Sequence, residues 1–547
     1  MPVQIGAMHS RTNVTALRRA EGLRGATLIV ALWATVVLSI VLLNFAFLAR
    51  THLRIASNYA ATNVLQNIAF AGTERAIAEI KQDQGPADHP SESWADNEKE
   101  FREAPIGAGR FDLVRDALGE NETIAYGLED EAAKLNLRTA TRDMLLRLEG
   151  MDEALVDALE DWQDQDSEPK LNGAENEYYE ALPRPYGCKN EKLSTINEIL
   201  LVKGFDPSVL FGEDLNGNGL LDPGEDDGDA SPPRDNQDGV LDRGLLPFVT
   251  IYSSDKNVTA DGKDRVDINA ADEETLRKAI PDLTDVEAKA IVAFRKGKEF
   301  EHLGDLLNVT EAPPQQQGGQ QGEGQRPPDG GQQGTGPQQG SDSQEQGNNQ
   351  AGTKTDEKSD SGGSDGSASA QSDTDGKGNA SQTGSESATA AGKEANRDGK
   401  RGGEQGSPDP GQAQPAGKKI IGPVRLKQII DYCKIGESEM TDGRININTA
   451  PEEVLVALPG VTKELARATI AYRQNPSKAF KNIAEWLDAP GMNESIFIPL
   501  SSLITVRSYQ FRAKSVARIE GLTAQRTAEA VLDRSGDKVR ALYWQEY

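Results

Sequence analysis

The stretch Asp214-Leu-Asn-Gly-Asn-Gly-Leu-Leu-Asp-Pro-Gly-Glu225 places oxygen donors at the spacing of a twelve-residue calcium loop. Asp214, Asn216 and Asn218 stand at its first, third and fifth positions, Leu220 offers a backbone carbonyl, Asp222 stands ninth, and Glu225 closes the shell with both oxygens. Gly219 permits the sharp turn in the middle. Only a large, hard cation with a flexible oxygen shell takes such a set, so calcium is expected rather than magnesium. The role is structural: without the ion, neighbouring carboxylates repel and the loop has little apolar material to order it. Pro223-Gly224 interrupts any second flanking helix, so this is a loop site and not a full helix-loop-helix hand. Arg234 to Asp242 (RDNQDGVLD) repeats the spacing imperfectly. Asn236, Asp238, Gly239 and Asp242 keep it, while Arg234 and Leu245 spoil its first and last positions. A second calcium would need Asp235 as a substitute ligand, and both the one-ion and two-ion readings stay open. Asp161, Asp164 and Asp166 could also take a cation, but a solvated acidic face is the simpler reading.

Catalytic chemistry has no comparable pattern, and no enzymatic turnover is expected. His9, His52, His89 and His302 are scattered without metal spacing. Gly362-Gly-Ser364-Asp-Gly366 fits the letters of a nucleophile elbow, but no strand and helix flank it to strain the serine. Cys188 and Cys433 are the only cysteines; a disulfide and two separate thiols are both open.

The elements around these residues are uneven in composition. The chain has 547 residues and a formal net charge of -28, which disfavours nucleic acid as a bulk partner. Residues 311–418 are almost purely Gln, Gly, Ser, Asp, Pro and Ala and read as a disordered insert. Ala26 to Ala49 carries no charged residue, and as a helix it spans ~36 Å, enough for a bilayer core of ~30 Å. Arg11, Arg18, Arg19 and Arg24 precede it and favour a cytoplasmic N-terminus. From Arg50 to Ile80 there is no proline, and Ala61, Leu65, Ile68, Ala76, Ile77 and Ile80 keep a helical stripe until Gly85-Pro86. One helix over 26–84 is therefore expected, apolar first and amphipathic afterwards.

This beginning resembles the pseudopilins of type II secretion systems, which share the type IV pilin plan. The resemblance implies a basic leader, residues 1–25, cut by prepilin peptidase between Gly25 and Ala26, and N-methylation of the new terminus. Most members carry Glu at the fifth mature position, where it pairs with a neighbouring subunit's terminal amine; this chain has Val30. A carboxylate in lipid costs several kcal/mol without a partner, so an apolar residue suits a subunit with nothing above it.

Three stretches repeat one pattern: LNLRTATRDMLLRLEGMDEALVDALEDW from Leu135, VDINAADEETLRKAIPDLTDVEAKAIVAFR from Val266, and ININTAPEEVLVALPGVTKELARATIAYR from Ile445. Each opens on a short apolar-polar alternation, then an acidic or polar cap, a helix, a tight turn and a second helix. The second carries Asp282 where the others have Gly150 and Gly460. They resemble helix-hairpin-helix modules, whose turn amides can cradle a phosphate. Thr462 replaces the second turn glycine and LEGMDE is acidic, so packing modules are expected and no nucleic acid.

The stretch ALEDWQDQDSEPKLNGAENEYYEALPRPYGCKNEKLSTINEILLVKGF carries the most specific likeness, to the minor pseudopilin K family. Asp161, Trp162, Asp164 and Asp166 are followed by Gly173-Ala-Glu175, Tyr178-Tyr179, Asn190, Glu198 and Val202-Lys-Gly204. The resemblance implies an α+β fold: a long N-terminal transmembrane and amphipathic helix on an antiparallel pilin-like sheet, with a large inserted helical domain containing the hairpins. The expected layout is 100–130 for the first part of the core, 131–310 for the inserted domain with its calcium loop, 311–418 for the insert, 419–503 for the third hairpin, and 504–547 for the last strands. Short strands are expected at 111–115 and 123–126 around the turn 119–122, and later at 504–519, 528–534 and 539–544. The implied function is a minor pseudopilin at the tip of the pseudopilus, initiating its assembly and supporting export of folded proteins. Its implied partners are the I and J minor pseudopilins and the major pseudopilin, with the body in the periplasm and the anchor in the inner membrane. The alternative is a membrane-anchored helix-hairpin-helix DNA receptor for uptake, because the third hairpin also resembles competence receptors.

Overall fold

The computed structural model describes residues 13–83, 85–116, 124–214, 221–228, 230–232, 235–311 and 418–547, and side chains only from residue 27. The turn at 119–122, the tract 312–417 with its Gly362–Gly366 segment, Arg234, and the loop ligands Asn216, Asn218 and Leu220 with Gly219 lie outside the described residues.

Helix α1 runs from Asn13 to Gln82, 70 residues. It starts earlier than the expected Ala26, because Ala16, Leu17, Arg18, Arg19, Ala20, Glu21 and Leu23 are strong helix formers uninterrupted by proline. Its first half is exposed; burial begins at Leu65 and recurs at Ile68, Ala69, Ala76 and Ile80, the helical period that presents one face to a sheet.

That sheet joins early and late chain. Strands β1 (Ala104–Ile106) and β2 (Gly109–Asp116) form a hairpin through Gly107, whose φ of 56° suits glycine. β3 (Ile124–Ala125) pairs with β2, and β4 (Glu129–Asp130) pairs with β5 (Gln510–Ile519). β5 lies between β2 and β6 (Gln525–Asp533), and β7 (Arg540–Glu546) closes the order β1-β2-β5-β6-β7. All pairs are antiparallel. Phe111, Leu113, Phe511, Ala513, Ala517, Ala528, Ala530 and Leu532 meet the buried face of α1, with Trp94 edge-on to Phe511 at 4.9 Å. Helix and sheet approach closely at Gly72: a Cβ there would lie 2.1 Å from Ser515 Oγ.

One expected element is divided. The single strand expected at 504–519 is broken: Ile504–Thr505 pairs in parallel with Ile445–Asn446 of the third hairpin, and β5 starts only at Gln510. The break comes from Arg507, which turns inward and donates to Pro86 O at 2.7 Å, Val258 O at 2.8 Å and Asp431 at 2.9 Å. A buried guanidinium meeting backbone carbonyls cannot keep the alternation of a strand.

The three hairpins fold as two short helices each: Arg142–Leu146 with Glu153–Gln163, Glu273–Ala279 with Asp285–Gly297, and Glu452–Ala457 with Lys463–Arg473. Their turns use left-handed residues Gly150, Asp282 and Gly460, with φ of 86°, 55° and 78°. Each repeat extends beyond what its letters suggested. Each opens on a two-residue parallel strand and closes on a 3-10 helix, at Ile196–Leu201, Leu303–Asn308 and Ile483–Asp488. Asn269 and Asn448 hold the backbone of Phe300 and Phe480 by donating to the carbonyl and accepting from the N–H, at 2.8–3.0 Å. Arg295 and Arg473, at the ends of the second helices, donate to Ile268 O and Ile447 O. In the first repeat Arg138 stands where the asparagine would be, and Gln163 does both tasks: it donates to Leu137 O at 3.0 Å and accepts from Leu193 N at 3.4 Å.

The chain leaves this domain after Glu311 and re-enters at Lys418. There Thr310 and Lys419 form an antiparallel bridge flanked by Glu311 N to Lys418 O at 2.9 Å and Ile420 N to Val309 O at 3.0 Å.

Candidate metal centre and membrane helix

Gly25 and Ala26 lie within the continuous backbone of α1. Val30 is 67% exposed, and its neighbours in the apolar run share that exposure. It is the one described helix long and apolar enough to cross a membrane, by length and composition.

In the segment 214–225, where a calcium loop is expected, the described candidate ligands are Asp214, Asp222 and Glu225. Asp214 and Glu225 are buried, and Asp222 N donates to Glu225 Oε2 at 3.0 Å. Burial first, then the charges of Asp214, Asp222 and Glu213, push the Glu225 carboxyl above its usual 4.5. That crowding of carboxylates around a buried one fits the donor chemistry of a hard cation. The degraded copy is occupied otherwise. Asp235 Oδ2 accepts from Asp227 N and Gly228 N at 2.9 and 2.7 Å, and Asn236, Asp238 and Asp242 each accept from an N–H two residues on. Glu213, adjacent to the first loop, accepts from Asn236 N at 3.4 Å and Asp242 N at 3.0 Å, so the two loops share a backbone frame.

The Asp161 group is not a uniform solvated face. Asp161 is fully buried and takes Lys170 Nζ at 3.1 Å; Asp164 takes the same ammonium at 2.8 Å. Asp164 and Asp166 instead gather with Glu175, a residue remote in sequence that no local spacing marked.

At each hairpin turn the chain's own cap takes an amide at the start of the second helix. Asp152 accepts from Leu155 N at 2.9 Å, and Thr462 from Leu465 N at 3.3 Å. Thr284 and Glu287 form a reciprocal capping box, with Arg425 closing on Glu287 at 2.7 Å. Cys188 is half-buried and Cys433 buried, and both are free thiols. Burial pushes Cys188 up to about 11 and Cys433 up to about 12, so neither is a reactive thiolate.

A membrane-length helix laid on an antiparallel pilin-like sheet, with helix-hairpin-helix repeats inserted between its strands, defines the class of protein. Residues 110–211 match the family described as type II secretion system protein K, and 261–316 and 441–505 match the helix-hairpin-helix motif. Over that first region the chain is similar to the protein K family. It is 44% identical over 57 residues to type II secretion system protein K of Pectobacterium carotovorum subsp. carotovorum, covering 10% of this chain and 17% of that one. The protein of the same name from Klebsiella pneumoniae is 42% identical over 55 residues, covering 10% and 17%. The matched stretches thus span about a sixth of these relatives. A chain in the crystal structure of the GspK-GspI-GspJ complex from enterotoxigenic Escherichia coli is 12% identical with a TM-score of 0.40, over 90% of this chain and 99% of that one.

Proposed function

We propose that this chain is a minor pseudopilin that ends the pseudopilus, starts its assembly with I- and J-type partners, and supports export of folded proteins. The observation that carries the reading is the acid-free run Ala26–Ala49, with Val30 at the fifth position, on a helix followed in the chain by the protein K match at 110–211. A subunit lacking the intramembrane carboxylate can offer no counter-charge to an amine above it, so it terminates a stack. Prepilin peptidase cuts after Gly25, the mature amine is methylated, the helix stays in the inner membrane, and the folded part lies in the periplasm. Calcium orders the loop 214–225 as a structural ion; its crowded carboxylates support this.

N-terminal mass spectrometry of the membrane-extracted chain tests the processing, with Ala26 expected as first residue and N-methylated. Co-purification with other leader-bearing pilin-like chains, the major pseudopilin among them, tests the assembly role. Chains found within filaments, with subunits both above and below, would refute it. Salt-sensitive retention on DNA would instead favour the DNA-receptor alternative; the capped hairpin turns support the packing role.

A further inference from the structure

We propose that one halide ion of the chloride class is bound as a structural anion in the small cavity where the second and third hairpin repeats meet. Each repeat opens its parallel strand directly after a basic residue: Lys134 before Leu135, Arg265 before Val266 and Arg444 before Ile445. In the first repeat that charge is answered, since Lys134 pairs with Glu129 at 2.9 Å. In the other two, Arg265 and Arg444 line one shared cavity. Arg507, two residues beyond the closing strand Ile504–Thr505, joins them there. Asp255 and Asp431 are the acids in its wall.

The charges in that wall do not balance. Three guanidiniums face two carboxylates, and the most exposed of the five, Asp431, shows only 19% of its side chain. Asp431 Oδ1 accepts from Arg265 Nη2 at 2.8 Å and Arg507 Nη2 at 2.9 Å, and its Oδ2 from Ala260 N at 2.8 Å. Asp255 Oδ2 accepts from Arg444 Nη1 at 2.8 Å. The other acceptors are neutral: Asp431 O for Arg265, Asn257 Oδ1 for Arg444, and Pro86 O and Val258 O for Arg507. Carbonyls satisfy N–H groups but leave the extra positive charge, and a buried charge without a counter-charge is costly. Arg444 Nε is, in addition, a buried donor with no hydrogen-bond partner. The cavity holds about 20 Å³, room for one water-sized particle. That size admits chloride or bromide and excludes sulfate, phosphate and organic acids. A water could satisfy Arg444 Nε but not the charge; a halide does both. Seated there, it ties Arg265 of the second repeat to Arg444 of the third, and both to Arg507, which holds the chain at Pro86 just beyond α1.

The test uses the full chain in detergent, with calcium held constant and sodium gluconate exchanged stepwise for sodium chloride or bromide at fixed ionic strength. Gluconate is too large for the cavity. The unfolding temperature, read by circular dichroism, is expected to rise and saturate with either halide. Arg444→Gln is expected to lose that rise. Arg467→Gln removes the same charge from a side chain 68% exposed and outside this cavity, and is expected to keep it. Crystals of the full chain grown in bromide should show an anomalous peak among Arg265, Arg444 and Arg507, a result that needs no variant should Arg444→Gln fail to fold. No saturable halide effect, its persistence in folded Arg444→Gln, or its loss in Arg467→Gln overturns the proposal. A cavity without an anomalous peak holds water and overturns it too. A peak without the effect in solution marks binding at crystal concentration only, and equally overturns the structural role.

Discussion

Replacing Gly72 with alanine sets two known effects against each other. In an exposed helix interior, Gly→Ala gains about 1 kcal/mol. Here the new Cβ would lie 2.1 Å from Ser515 Oγ, 2.9 Å from Ser515 Cβ and 3.0 Å from the Phe111 ring, so helix and sheet must separate or Ser515 must turn. Overpacking of that kind costs about 1–3 kcal/mol. Ser515 Oγ is buried without a hydrogen-bond partner, so moving it forfeits no bond, and the cost falls in the middle of that range. The net expectation is a loss of about 1 kcal/mol. In a Ser515→Gly background the nearest atoms are gone, and the same Gly72→Ala change should recover most of its helical gain, a coupling of about 2 kcal/mol between the two sites. Urea unfolding of the detergent-solubilised chain, read by Trp94 fluorescence, reports this core because Trp94 packs on Phe511. Equal stabilisation by Gly72→Ala in both backgrounds would refute the close approach.

Deleting 312–417 and joining Glu311 to Lys418 through a two-residue Asn-Gly turn should leave the fold intact, because the Thr310–Lys419 bridge already brings the ends together. Shortening so long a loop should stabilise by about 3 kcal/mol, seen as a higher unfolding temperature. Chelating calcium should lower thermal stability, by about 2.7 kcal/mol if the ion was present at a hundred times its Kd; Glu225→Gln should abolish the part due to the loop. Burial alone would raise Glu287, but Arg425 and the Thr284 cap hold it below its usual 4.5. Its contribution is therefore complete above pH 4.5 and is lost as pH falls through the lowered folded value; the acid-unfolding midpoint should move up in Arg425→Ala, measured by circular dichroism.

The fold was legible wherever one local rule decided it. An apolar run followed by a helical stripe marked α1, and cap residues ahead of paired helices marked the hairpins, even at Asp282, which adopts the left-handed turn that glycine takes elsewhere. What escaped depends on partners distant in sequence. Arg507 reads as one polar position in a strand until Pro86, Val258 and Asp431 are seen around it. Gln163 shows no kinship with Asn269 or Arg295 until its amide is found serving both their bonds. The acidic group at 161–166 reads as solvated because Lys170 and Glu175, which meet it in the fold, lie beyond that segment. The expectation of a calcium loop at 214–225 rests on ligand spacing alone, since all its candidate donors come from one short segment.

The exposed length of α1 between the apolar run and its first sheet contact has a mechanical consequence. From Thr51 to Leu65 the helix rises about 20 Å. With the run to Ala49 seated in hydrocarbon, that stalk holds the sheet and hairpins clear of the lipid headgroups. A proline-free rod of this kind transmits a push or a twist from the bilayer to the folded head without a hinge to absorb it.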